Sequence, residues 1–171
     1  MNIREELLKY QVQSRENALR IASFAASAES DFKELINCFL SDDRRLAQRA
    51  AWCVSWSAGK KPEMIQPYLH SLVNQLGRTD VHDAVIRNSL RILKDADIPE
   101  EHHGKILSAC FDYIQKRETP VAVKAFSLHI LYNFIKIYPE IKNELKLIIL
   151  ENIDYETAAY KSVGKKILNW I

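Results

Sequence analysis

The stretch Leu46-Ala47-Gln48-Arg49-Ala50-Ala51-Trp52 decides the fold, because three later stretches repeat its layout. They are Ala84-Val85-Ile86-Arg87-Asn88-Ser89-Leu90, Val121-Ala122-Val123-Lys124-Ala125-Phe126-Ser127 and Ala158-Ala159-Tyr160-Lys161-Ser162-Val163-Gly164. Each sets one basic residue in the fourth place of a mostly small or aliphatic run. From Arg49 to Arg87, Lys124 and Lys161 the steps are 38, 37 and 37 residues. Arg15, in Gln13-Ser14-Arg15-Glu16-Asn17, lies 34 residues before Arg49 and is a weaker fifth copy. A loop with an acidic residue (Asp43, Asp80, Glu118 or Asp154) precedes each of the four. A period of that length, holding two helices per unit, marks stacked helix pairs in which each unit buries the face its neighbour leaves open.

Nearly every segment has helical period and none alternates as a strand. Breaks fall at Ser41-Asp42-Asp43, Gly59-Lys60-Lys61-Pro62, Thr79-Asp80, Ile98-Pro99, Glu118-Thr119-Pro120, Tyr138-Pro139 and Asn152-Ile153-Asp154. Each supplies an N-capping side chain, a proline near a helix start, or both. Pro67 is expected either to start a helix over Tyr68–Leu76 or to kink a longer one begun at Pro62. The segment Val121–Ile135 is apolar nearly all round, as a helix flanked on most sides should be. In the last helix Lys161, Ser162, Lys165, Lys166 and Asn169 gather on one half, and Val163, Ile167, Leu168, Trp170 and Ile171 on the other.

This layout resembles the HEAT repeat, in which an acidic residue opens the second helix and an Arg or Lys follows about six positions later. Asp43 to Arg49 and Glu118 to Lys124 keep that spacing, while Asp80 to Arg87 is one longer. Gln48 and Tyr160 stand where an aliphatic residue is usual. The resemblance implies an all-α, right-handed α-α superhelix, a solenoid of about four to five HEAT-like helix pairs. The whole chain, 1–171, then forms a single repeat domain. Residues 1–40 are its N-terminal capping helices, 41–78, 79–117 and 118–153 its repeats, and 154–171 its C-terminal capping helix. The chain is also similar to short bacterial helical-repeat proteins often labelled adenylosuccinate lyase. The Ser-rich flexible loop that characterises that lyase superfamily is missing here.

Composition agrees with a globular helical chain. Of 171 residues, 47% are hydrophobic and 27% charged, and only 4 Gly and 5 Pro are available for tight turns. That excludes a disordered chain and disfavours a many-turned β-sandwich. A net charge of +2 provides no global field for nucleic acid or membrane. Cys38, Cys53 and Cys110 have no metal-ligand or disulfide spacing, so reduced, buried thiols in a cytoplasmic protein are expected. No signal peptide or membrane span is expected.

No GxSxG, P-loop, GxGxxG or HExxH motif occurs, and no cofactor or metal is implied. His102 and His103 are adjacent, so on a helix they diverge by about 100° and cannot share one ion; both are expected to face solvent. His129 is expected to be semi-buried.

The main candidate constellation is Arg45, Arg49, Trp52 and Trp56, which fall within about 60° on one helix. Such a stripe suits a planar or anionic ligand through cation–π and stacking contacts. Under the HEAT register the two indoles also match packing positions, so burial between helices is the alternative. The same holds for the basic ladder Arg49, Arg87, Lys124 and Lys161. It either faces a ligand or pairs with the acidic loops.

Since HEAT second helices line a concave surface, the expected contact residues are Arg45, Arg49, Trp52, Trp56, Arg87, Asn88, Arg91, Lys124, Ser127 and Asn133. The leading expectation is a non-enzymatic scaffold or adaptor that binds another protein or peptide. The alternative is a nucleic-acid-binding protein resembling HEAT-like DNA alkylation-repair glycosylases, with Trp52 and Trp56 beside Asp42 or Asp43.

Overall fold

Short polar side chains start the helices wherever the chain supplies one at the right place. Asn2 and Ser14 accept hydrogen bonds from the backbone N–H groups of Glu5 and Asn17, both at 3.1 Å. They open α1 (Ile3–Leu8) and α2 (Arg15–Ala25). After α3 (Glu29–Phe39), Asp43 accepts from Arg45 and Leu46 N–H, both at 3.0 Å, and begins α4 (Arg44–Lys60). A 3-10 segment, Pro62–Tyr68, contains Pro67 and leads into α5 (Leu69–Gln75). Gly77, at φ 82°, turns the chain in the left-handed region that only glycine enters at little cost.

The remaining starts depart from the expected acidic caps. The imidazole of His82, not Asp80, accepts from Ala84 N–H at 3.1 Å and opens α6 (Asp83–Leu93). A short 3-10 turn, Glu100–His102, precedes α7 (His103–Gln115). Pro120 stands before α8 (Val121–Ile135) with no side-chain cap. Then come α9 (Ile141–Asn152) and α10 (Ala158–Trp170), the latter capped by Thr157 and not by Asp154. Five of the seven breaks expected from sequence fall wholly between elements; at the other two, Gly59 and Lys60 end α4 before Pro62 opens the 3-10 segment, and Asn152 ends α9. The ten helices make five consecutive pairs.

The computed structural model describes residues 1–171, with no strand, and the chain gathers into two units, Met1–Ile98 and Pro99–Ile171. In the first, α4 is the central helix and packs on α1, α2, α3 and α6. Leu46, Ala50, Cys53 and Val54 from α4 meet a core that includes Ile21, Leu35, Phe39 and Leu90, all buried. A buried tie, Ser57 Oγ to the Ala22 carbonyl at 2.8 Å, fastens α4 to α2.

In the second unit α8 is central and packs on α7, α9 and α10 through Val123, Leu128, Ile130, Leu131 and Phe134. Gly164 lets α10 approach closely. A Cβ placed there would stand 3.1 Å from Ile149 Cγ2.

Two expectations are corrected in this unit. His102 and His103 are buried, not solvent-facing. His103 packs edge-on against Phe134 at 4.7 Å between ring centres, and its Nδ1 lies 3.0 Å from the Tyr138 hydroxyl. Trp170, assigned to the apolar half of α10, is 60% exposed and touches only one ring, Tyr132.

Candidate binding face

Helical spacing puts Arg45, Arg49, Trp52 and Trp56 on one side of α4, yet packing sends them to different ends. Arg49 points inward and is 7% exposed. Its guanidinium donates to the carbonyls of Leu7 at 2.7 Å, Tyr10 at 2.5 Å and Gln11 at 2.6 Å. These are the acceptors left open at and beyond the end of α1, which has no helical partners of its own there. Burial, and next the nearby Arg45 charge, push its pKa down from the usual arginine value. Arg49 is thus a tie between α4 and α1, using backbone carbonyls where an acidic loop residue was one of the expected partners.

Lys124 on α8 is also interior, 3% exposed, and its ammonium pairs with Glu156, which precedes α10. The acid that neutralises it comes from the following loop, not from Glu118. Asn88 is buried and donates to Ala84 O at 2.8 Å within its own helix. Ser127 is fully buried. Burial removes Arg49, Asn88, Lys124 and Ser127 from any contact surface. Lys161 reaches back to the Asp154 carbonyl at 3.1 Å. Asn133 is exposed on α8 in the second unit.

The outward residues of the first unit converge differently. Arg45 and Arg87 are exposed, and Trp52, Trp56 and Arg91 are half-buried. The Arg91 guanidinium carbon sits 5.3 Å from the centre of the Trp56 ring, and that of Arg15, at the start of α2, sits 5.8 Å from it. Three successive second helices therefore meet at one indole. The indole N–H of Trp56 is buried and has no acceptor. Arg15, Arg87 and Arg91 form no ion pair or hydrogen bond, and Arg45 makes only a long contact, 3.5 Å, to the Tyr10 carbonyl.

Sequence reasoning did not include Arg15 in the site. Its place 34 residues before Arg49 was the available signal, since equal places in adjacent repeats lie side by side.

The three cysteines are free and buried. Burial pushes the thiols of Cys53 and Cys110 up to about 12, opposed at Cys53 by a hydrogen bond from Gln13 Nε2 at 3.3 Å. No group of three or more His, Cys, Asp or Glu side chains is placed to hold a metal ion. No helix is long and apolar enough to cross a membrane.

Helix pairs in chain order, with a recurrent cation on the second helix, define an α-helical repeat protein. A family model described as HEAT repeat domain matches residues 3–171, and the chain belongs to that family. Searches of curated proteins and of solved structures each returned no match.

Proposed function

We propose that this HEAT repeat chain is a non-enzymatic scaffold that binds a protein partner on the outward face of α2, α4 and α6. The observation that supports it is the meeting of Arg15 and Arg91 on the half-buried Trp56, with Arg45, Trp52 and Arg87 on the same helices. Tryptophan and arginine are enriched among the residues that carry most of the energy in protein interfaces, and here two arginines lie beside a half-buried tryptophan. The proposal includes the right-handed superhelical stacking usual for the family, with second helices on its concave side, as one repeat array across 1–171. It also places the protein in the cytoplasm, a setting that three free buried thiols favour.

The glycosylase alternative has less support. Its acid would stand beside the indoles, but Asp43 is engaged as the cap of α4. At 1.5 Å rise per residue Asp43 lies about 20 Å along the axis from Trp56.

The test is affinity capture from native lysate with three baits: wild type, Arg45→Ala/Arg87→Ala and Arg117→Ala, the last an exposed arginine of the second unit. The scaffold reading expects a partner kept by wild type and Arg117→Ala and lost by the double variant. Equal recovery on all three baits contradicts it.

A further inference from the structure

Two like charges drawn to a single ring need an explanation. Arg15 and Arg91 each approach the Trp56 indole, so their guanidinium carbons lie no more than about 11 Å apart, near the Debye length of roughly 8–10 Å at moderate salt. No carboxylate pairs with either, although Arg20 in the same unit finds Glu6 and Arg78 finds Asp80. Arg87 stands one turn from Arg91 on α6 and is also unpaired. Both guanidinium carbons lie within the roughly 6 Å over which the ring attracts a cation. Attraction to a ring uses none of a guanidinium's N–H donors, which stay free for bidentate contact with an oxyanion. The face thus concentrates positive charge, and no carboxylate pairs with Arg15, Arg87 or Arg91.

We propose that this face takes an acidic peptide segment, a partner's short run of Glu or Asp side chains. Its carboxylates bridge Arg15 and Arg91 across Trp56 and extend to Arg87, while Trp52 offers an apolar shelf to a neighbouring side chain. The proposal rests on the scaffold reading above and names its chemistry.

Three observations favour carboxylates on a peptide over a nucleic-acid backbone. The strip is short, about 16 Å from Arg45 to Trp56 along α4 at 1.5 Å per residue. Exposed carboxylates stand at its margins, Asp83 one turn from Arg87 and Glu16 beside Arg15. They repel a continuous phosphate track but tolerate a peptide whose charges fall only where the arginines are. The net charge of +2 gives none of the long-range attraction on which sequence-independent phosphate binding depends.

The experiment uses the full chain, a fluorescein-labelled glutamate-rich peptide, and a single-stranded oligonucleotide of equal charge, with anisotropy read at low and moderate salt. The peptide is expected to bind at low salt and to weaken as salt rises. Arg15→Ala/Arg91→Ala should weaken it about tenfold, as expected for paired arginine anchors. Arg4→Ala/Arg117→Ala removes the same charge from exposed sites elsewhere and should change it by less than about twofold. Arg15→Lys/Arg91→Lys keeps the charge and loses the planar fork, and should fall between them. The acidic-peptide proposal is overturned by no peptide binding, by equal loss in both alanine doubles, or by tighter binding of the oligonucleotide. If the peptide fails while Arg45→Ala/Arg87→Ala still loses a captured partner, the acidic chemistry falls and the scaffold reading stands.

Discussion

Residues 1–98 and residues 99–171 use the same repeat position differently. In the first region Arg49 reaches three carbonyls around the end of α1. In the second Lys124 reaches one carboxylate, Glu156. Both cations are buried, both sit on the central helix of their unit, and both fasten that helix to another element. At this position α4 and α8 each turn a long cationic side chain inward, and what it meets there is set locally. Arg49 meets neutral acceptors, so a fork of several donors is needed to satisfy them. Lys124 meets a full charge, so a single ammonium is enough. The same position on α6 holds Arg87, which is exposed and unpaired, and which the proposed function assigns to contact with a partner.

The largest effect should follow from breaking the ion pair. Glu156→Ala leaves the Lys124 ammonium buried without a counter-charge, and urea unfolding should show a loss of about 3–5 kcal/mol. A loss under about 1 kcal/mol would mean that water solvates Lys124 and that the contrast with Arg49 is empty.

Alkali should act on both regions, since each holds a thiol pushed up to about 12, Cys53 in the first and Cys110 in the second. An unfolded cysteine ionises near its ordinary value of 9.0, so above that pH the unfolded chain binds fewer protons than the folded one. The stability from each buried thiol is complete below that value and is lost as pH rises toward 12, by about 1 kcal/mol per pH unit per thiol. Unfolding followed from pH 8 to 11 checks this, and a thiol reagent at pH 8 should label all three cysteines only as the chain unfolds. Fast labelling of Cys53 or Cys110 in the folded chain contradicts it.

Lys124→Met/Glu156→Leu replaces the pair with apolar groups of similar size and should change stability by less than about 1 kcal/mol, because the desolvation cost disappears with the attraction. No comparable exchange exists for Arg49, whose partners belong to the backbone.

The same contrast shows what was legible in advance. Helix boundaries were, because Asp43, Pro62, Pro99 and Pro120 act on the chain next to them. So was the recurrent cation, because its period is written in the residues. Its partners were not. Carbonyl acceptors carry no mark in a sequence, so the three bonds of Arg49 had no signal, and Glu156 lies two residues past the acidic residue the pattern singled out. The burial of His102 and His103 was hidden for a related reason. They sit where a 3-10 turn passes into α7, and ideal helical angles do not describe that junction. Trp56 was seen as a choice between core and ligand face. It is half-buried, and only tertiary packing brings Arg15 and Arg91 to its ring.

The division of one repeat position into inward ties and an outward contact is tested most directly by urea unfolding of Arg49→Ala beside Arg87→Ala. Arg49→Ala should lose about 2–3 kcal/mol, because three carbonyls lose a charged donor. Arg87→Ala should stay within about 0.5 kcal/mol of wild type, as exposed substitutions do. Equal losses in the two variants, or no loss in Arg49→Ala, would contradict the division.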